Sequence, residues 1–453
     1  MTSSIEPELT EPKAALQGSF YAAFIALAAA LGGLLFGYDT SVISGAILFV
    51  RDEFKLGSLQ TELAVSIVLA GAAFGASISG YLGDRFGRKP VLVGDAVLFA
   101  VFSVATGVAK SFGIFLLARF VVGVAVGVTS MITPLYIAEL APPKIRGALV
   151  TLNQLAIVVG ILAAYCVDYL FAPTGDWRAM FISALAPSLL LLVALMFLPE
   201  SPRWLACNGH EHEAEQVLCR VENDQVAQRH LKELKVIAAA SKLKFSELFS
   251  IRFRKPILVG MGLAIFQQIT GVNTIIYYTP MILRMAGFKS AKTAILATAL
   301  VGAVNVVATI ASLFLLDRIG RRPMLMISLT GMGLSLGHLG YAFSSSQISR
   351  GMIIFDVITY LASFAIGLGP GFWLLISEIY PISVRGRAMS LASVTIWVSD
   401  WLVTMTFLSL VDLIGTPRLF WLYGGACAIA LLFCARIVPE TRGRTLEEIE
   451  ASW

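Results

Sequence analysis

GDRFGRKP, residues 83–90, returns 233 residues later as DRIGRRP, residues 317–323. Two more pairs keep nearly the same spacing. Glu139 with Arg146-Gly147 recurs as Glu378 with Arg385-Gly386, and Pro199-Glu200-Ser201 recurs as Pro439-Glu440-Thr441, at offsets of 239 and 240. A unit of about 240 residues is therefore written twice. Each copied element interrupts long apolar stretches, and working outward from them gives twelve apolar segments: 20–45, 61–82, 91–109, 112–138, 148–170 and 179–198 in the first copy, then 256–280, 292–316, 323–345, 352–377, 388–411 and 418–438 in the second. Each is long enough to cross a bilayer.

Composition agrees. Hydrophobic residues make up 57% of the 453-residue chain and charged residues 14%, where a soluble domain carries about a quarter charged residues. The expected fold is an all-α membrane protein with twelve transmembrane helices in two six-helix repeats. The expected division is a cytosolic tail (1–19), a first six-helix domain (20–199), a cytosolic helical linker (200–255), a second six-helix domain (256–440) and a second cytosolic tail (441–453). Within the linker, Glu211–Arg220 and Gln228–Leu234 read as short amphipathic helices. Of the 34 Lys and Arg residues, 24 fall on the side of the tails and even-numbered connections, 9 on the other side, and Arg119 inside a segment. The side richer in positive charge is expected to be cytoplasmic, so both termini are too. Parallel six-helix repeats around a site near the bilayer midplane are a transporter architecture.

Several classes are excluded. No Gly-x-x-x-x-Gly-Lys-Ser/Thr loop is present to cradle nucleotide phosphates, and a linker of about 55 residues is too short for a nucleotide-hydrolysing domain, so uphill transport would draw on an ion gradient. No nucleophile–base pair or metal-ligand cluster stands out. The chain is expected not to be an enzyme and to hold no cofactor or metal, and no nucleic-acid partner is expected. The five cysteines show no ligand-like spacing and are expected as free thiols. His338, the one histidine in an apolar segment, reads as a packed or hydrogen-bonded residue.

Chemistry concentrates in QQITGVNTIIYYTP, residues 267–280, inside the charge-free run Pro256–Leu283. Amides at mid-membrane need polar partners. On a regular helix Asn273 would lie roughly 140° round from Gln268, so convergence requires Gly271 to bend or unwind the helix. Neutral amides with Tyr277 and Tyr278 suit an uncharged, polyhydroxylated ligand, and they also suit helix–helix bridging. Gln154, Asn305, Trp373 and Trp397 sit at mid-depth in other segments and carry the same two readings. Glycines mark the first, fourth, seventh and tenth segments, and Gly369-Pro370-Gly371 is expected to break the tenth. Two charges lie deep in apolar runs, Asp39 and Arg119. Pairing is the default for such groups. Protonating Asp39 would then release Arg119 and couple a proton to the cycle, unless the pair is permanent and structural. The repeated acid–base motifs read as a gate remade when the halves rock, or as topology anchors.

Taken together, GDRFGRKP, RFVVGVAVG, PLYIAELAPPKIRG, PESPRW, QQITGVNTIIYYTP, DRIGRRP, SEIYPISVRGRA and PETRGRTLEEIE resemble the sugar porter family of the major facilitator superfamily, over about residues 20–450. Its bacterial proton-coupled monosaccharide symporters are the most similar type. The resemblance implies the major facilitator fold and import of a hexose or pentose with a proton by alternating access. The expected setting is a plasma (inner) membrane, with the lipid bilayer as partner and a functional monomer. It also implies roles. Gln154, Gln267, Gln268, Asn273, Asn305 and Trp373 match sugar-bonding positions, and Phe36, Tyr277 and Trp397 match aromatic lining positions. Asp39, in FGYD, matches the proton-coupling aspartate and Arg119 its partner arginine. Asp84, Arg85, Arg88, Glu139, Arg146, Glu200, Arg203, Asp317, Arg318, Arg321, Arg322, Glu378, Arg385 and Glu440 match the inward-side gating network.

Two departures stand out. Where many members read Asn-Trp-x-x-Asn, this chain has Ile396-Trp397-Val398-Ser399-Asp400, adding a carboxylate near the sugar site or the extracellular gate and a second titrating group. Ala365 replaces a glutamate of the passive animal members. The alternatives are a passive sugar uniporter, a proton-coupled myo-inositol transporter, and a membrane sugar sensor, which is expected to carry a longer signalling tail than the residues after Glu440 supply.

Overall fold

The computed structural model describes residues 11–141, 146–221, 225–229, 231–232, 250, 253–345, 349–381, 384–444 and 448. Among these residues the chain is helical, with no strand. The first six spans are Glu11–Phe54, Ser58–Phe86, Arg88–Gly107, Phe112–Leu140, Arg146–Phe171, and a sixth in two pieces, Trp177–Ile182 and Leu185–Phe197. Short helices Pro202–Cys207 and Glu211–Val221 follow, and part of the expected linker, including His230, Glu233 and Leu234 of Gln228–Leu234, lies outside the described residues. The second six are Arg254–Ile269 with Val272–Met285, Ala291–Ile319, Arg321–Ser344, Arg350–Ile366 with Leu368–Ile379, Arg385–Met405 and Thr416–Arg436. Eleven of the twelve are long and apolar enough to cross a membrane among the described residues. The ninth, at 24 residues, is long enough but diluted by Arg321, Arg322, His338 and its glycines.

The breaks have local causes. The first helix already runs from Glu11, inside the segment expected to be a tail. The sixth span divides at Ser183 and Ala184 because Pro187 has no N–H to return to Ser183. The eleventh ends at Met405, where the Thr406 hydroxyl donates to the Leu402 and Val403 carbonyls (2.9 and 3.2 Å) before a short helix, Phe407–Ile414, continues.

Small residues draw the helices of the first half together. A Cβ on Gly123 would lie 2.1 Å from the Val68 carbonyl oxygen, and one on Gly75 2.1 Å from that of Val124, so the second and fourth spans touch backbone to backbone. Gly37 and Gly160 do the same for the first and fifth spans, against the carbonyls of Ile157 and Leu34. Lipid gives no hydrophobic reason for helices to associate, so dense contact at small residues is what holds them.

The two halves meet along three seams: second span on eleventh, fifth on eighth, and first on the Val272–Met285 piece of the seventh. Among the described residues, polar contacts cross between the halves from mid-depth toward the face opposite the repeated motifs. The Glu62 carboxylate accepts from the Ser409 N–H and hydroxyl (both 2.6 Å), and Ser66 donates to the Met405 sulfur (3.2 Å). Gly123→Val should lower the detergent melting temperature by several degrees, since overpacking costs about 1–3 kcal/mol. Gly94→Val, where nothing lies within 4 Å of a new Cβ, should leave it unchanged. Equal melting curves for the two variants would contradict backbone-to-backbone packing.

Candidate functional site

The seventh span unwinds at Gly271, whose φ of +84 places it in the left-handed region. Glycine enters that region without steric cost, and a Cβ here would also lie 2.5 Å from the Tyr423 ring. The turn brings three amides into line. Asn273 Nδ2 donates to Gln268 Oε1 (3.0 Å), Gln268 Nε2 to Gln267 Oε1 (3.3 Å), and Gln267 Nε2 to the Leu368 carbonyl (3.2 Å). Leu368 opens the second piece of the tenth span, just after a break at Gly367 (φ −136, ψ −75). The break precedes Gly369-Pro370-Gly371. Pro370 instead falls in the first turn of the new helix, where its missing N–H costs nothing.

Asp400 closes the cluster from the eleventh span. It accepts from Asn273 Nδ2 (2.7 Å) and Tyr277 Oη (3.3 Å) on one oxygen and from Thr404 Oγ1 (3.1 Å) on the other. One turn on, the Thr404 carbonyl accepts from Tyr278 (3.3 Å). Trp397 reaches across the halves: its indole donates to Ser130 (3.4 Å), and its ring lies 5.3 Å from that of Phe36. Phe36, Gln154, Asn273 and Trp373 are half-buried, while Gln267, Gln268, Tyr277, Asn305 and Trp397 are buried. Trp373 packs edge-on against Phe372 at 5.2 Å. The structure thus joins Gln267, Gln268, Asn273, Tyr277 and Asp400 directly. Among the described residues no hydrogen bond ties Gln154, Asn305 or Trp373 to them.

Asp39 and Arg119 are both fully buried and adjacent, but not as an ion pair. Arg119 donates both terminal nitrogens to the main-chain oxygen of Asp39 (3.2 Å each), and its guanidinium lies 5.2 Å from the Phe181 ring centroid. Neither Asp39 carboxylate oxygen has a hydrogen-bond partner. The expected pairing of carboxylate and guanidinium is corrected accordingly: the arginine is satisfied by a carbonyl of the first span and leaves the carboxyl group unbonded.

Sequence reasoning passed over a contact that begins at Pro280. Lacking an N–H, Pro280 cannot return the bond that the Ile276 carbonyl expects four residues earlier. That carbonyl instead accepts from Ser44 (3.1 Å) and Tyr165 (2.9 Å), both in the other half. The Glu62–Ser409 contact was also missed. The proline was the available signal for the first, and nothing local marked the second.

At the motif face the repeat is reproduced bond for bond. Arg88 pairs with Glu139 (2.9 and 3.0 Å) as Arg321 pairs with Glu378 (3.0 and 3.3 Å). Ser201 donates to Glu139 and Thr441 to Glu378, each at 2.5 Å. Glu200 accepts the N–H groups of Arg88 and Lys89, and Glu440 those of Arg321 and Arg322. Each carboxylate thus caps a helix N-terminus, where negative charge is favoured. The preceding glycines, Gly87 and Gly320, have φ of +97 and +109, and a Cβ would strike the capping carboxylate at 2.3 and 2.9 Å. Burial pushes the Glu200 carboxyl up from its ordinary value, while the N–H groups of Ser201, Arg88 and Lys89 and the charge of Arg88 draw it down. Asp84 and Arg203 add longer contacts, to Arg88 (3.4 Å) and Glu139 (3.9 Å). Arg85 stacks on Tyr81 and Phe86, Arg322 bonds the Ala435 carbonyl, Arg385 bonds the Tyr380 carbonyl, and Arg318 is exposed. The side chains of Arg146 and Asp317 lie outside the described residues. These ion pairs join helices within each half rather than across the halves.

A duplicated six-span architecture, with polar side chains gathered at helix breaks, defines a membrane transporter. The family model for sugar (and other) transporters matches residues 25–453, and the chain belongs to that family. It is 42% identical to the D-xylose transporter of Levilactobacillus brevis, over 95% of each chain. It is 37% identical to the galactose-proton symporter of Escherichia coli (strain K12), over 94% of this chain and 93% of that one. The solved structure of the inward open conformation of the xylose transporter XylE from E. coli superposes with a TM-score of 0.84 at 34% identity, covering 96% of this chain and all of the other.

Tyr165→Phe removes one of the two donors to the Ile276 carbonyl. At about 1 kcal/mol per buried hydrogen bond, it should shift the equilibrium about fivefold toward opening at the face opposite the motifs. Maleimide labelling of a Ser66→Cys reporter, buried in the second-on-eleventh seam, should accelerate by that factor. An unchanged rate would exclude Ile276 as a clasp.

Proposed function

We propose that this chain imports a monosaccharide, hexose or pentose, together with a proton, by alternating access between its two six-helix halves. The observation that carries the reading is the row of uncharged amides running from the tenth-span break through Gln267 and Gln268 to Asn273. Neutral donors and acceptors lying beside aromatic rings match a ligand that is uncharged and rich in hydroxyl groups. Gln154, Asn305, Trp373 and Trp397 complete the site from the other spans, with Phe36 and Tyr277 as apolar and aromatic lining. Relatives named as D-xylose transporter and galactose-proton symporter support the same substrate class and the coupling ion.

The coupling residue is Asp39. Its carboxylate accepts no hydrogen bond, so a proton taken up there neutralises a buried charge that has no bonded counter-ion. Arg119 stays anchored to the Asp39 main-chain oxygen, so the arginine senses the charge through space. The motif face is cytoplasmic, on the balance of positive charge, and both tails lie on that side of a plasma membrane. The cross-half contacts at Glu62, Ser44, Tyr165 and Ser409 close the outer end in this conformation. The paired motifs within each half let the inner ends part as rigid units. The transporter works as a monomer in the bilayer.

Proteoliposomes given a panel of labelled monosaccharides and myo-inositol should accumulate at least one sugar under an inward proton gradient and lose it on adding a protonophore. Equilibration indifferent to the gradient would leave a passive uniporter. Binding without exchange would leave a sensor. Asp39→Asn should abolish accumulation while retaining sugar exchange at a comparable rate, and a variant that still concentrates sugar would remove Asp39 from the coupling role.

A further inference from the structure

The row of amides has a direction. The Leu368 carbonyl can only accept, so Gln267 must turn its nitrogen toward it and its oxygen toward Gln268. Gln268 must then donate to Gln267 and accept from Asn273. At the far end Asp400 imposes the same sense, because Asn273 Nδ2 lies between Gln268 Oε1 at 3.0 Å and Asp400 Oδ2 at 2.7 Å. Turned over, Asn273 would set its carbonyl oxygen against two acceptors at once. Its nitrogen is therefore committed, and among the described residues its Oδ1 has no partner. Of residues 272–283, Asn273 alone is not buried. The one side chain of this segment that is not buried thus carries a carbonyl oxygen free of partners among the described residues.

We infer that Asp400 is a positioning residue that holds Asn273 with its carbonyl oxygen toward the ligand, so that the site selects substrates whose facing hydroxyl donates a hydrogen bond. The inference rests on the proposed monosaccharide site and adds a selection rule to it. Asp400 acts here as an acceptor and not as a carrier of the transported proton. Three donors reach it, from Asn273, Tyr277 and Thr404. An asparagine could keep its oxygen toward Asn273 and Tyr277 and turn its NH2 to the Thr404 hydroxyl, which can accept. A leucine of similar volume supplies no acceptor, leaves Tyr277 unsatisfied and leaves the Asn273 amide held by Gln268 alone, through one hydrogen bond instead of two.

The test uses monodeoxyfluoro analogues of whichever sugar the wild-type protein transports. Fluorine has the size of a hydroxyl but cannot donate. Competition against labelled sugar in counterflow gives an apparent affinity for each analogue, and tryptophan fluorescence of the purified protein gives the same ratios without transport. In the wild type, fluorine at one ring position should weaken competition about tenfold, the loss of one buried hydrogen bond. Asp400→Asn should keep that ratio and keep proton-driven accumulation. Asp400→Leu should raise KM with little change in the maximal rate, and should shrink the ratio of fluoro to hydroxyl affinity to below about threefold. A purely structural residue would weaken all analogues alike and leave the ratio untouched. The inference is overturned by an Asp400→Leu ratio equal to the wild type's, by a wild type indifferent to fluorine at every position, or by loss of accumulation or of the ratio in Asp400→Asn. If Asp400→Leu cannot be purified, the wild-type and asparagine measurements still decide. A wild-type protein that takes up no sugar of the panel would instead refute the proposed function.

Discussion

A main-chain carbonyl in lipid has no water to turn to, so every break in a spanning helix must be matched by a donor from elsewhere in the protein. Four main-chain carbonyls organise this structure, three in spans that break or contain a proline and one in an unbroken helix. Thr270, at the unwound turn of the seventh span, accepts from Tyr360 (2.9 Å). Leu368, at the break in the tenth, accepts from Gln267. Ile276, released by Pro280, accepts from Ser44 and Tyr165. The Asp39 carbonyl holds Arg119. The first two set the amides of the candidate sugar site, the third clasps one half to the other, and the fourth places a cation beside the carboxylate proposed for coupling. The amide site and the clasp therefore draw on the cost of an unsatisfied backbone group in a medium without water, and the placing of Arg119 on the cost of a buried guanidinium without an acceptor.

The duplicated motifs solve a different problem at the membrane surface. In each half an arginine, two glutamates and a hydroxyl join three helix ends, and a glycine with positive φ admits the capping carboxylate. Because these bonds stay inside a half, they stiffen it as a body. The clasps that do cross lie toward the other face, at Glu62–Ser409 and around Ile276.

The family model and the superposition agree with what the repeat alone implied, a twelve-span chain of two similar halves. Agreement was weaker at the buried charges. Asp39 and Arg119 were legible as neighbours that must meet, since two lone charges in apolar runs have few other options. The atoms through which they meet were not legible, because a guanidinium is satisfied as well by a main-chain oxygen as by a carboxylate. Asp400 was visible as a departure within an aromatic segment, but its three donors come from two spans and only their packing assembles them.

By itself the sequence determined the number of spans, the twofold repeat, the unwinding at Gly271 and the amides that line it. These follow from local physics: apolar length, the freedom of glycine, and the cost of burying an amide without a partner. Only the tertiary structure decided where the tenth helix breaks, which carbonyl Arg119 holds, and which half receives the carbonyl that Pro280 releases. Those outcomes depend on what stands opposite each group once the helices pack, and periodicity along one helix carries no information about its neighbours.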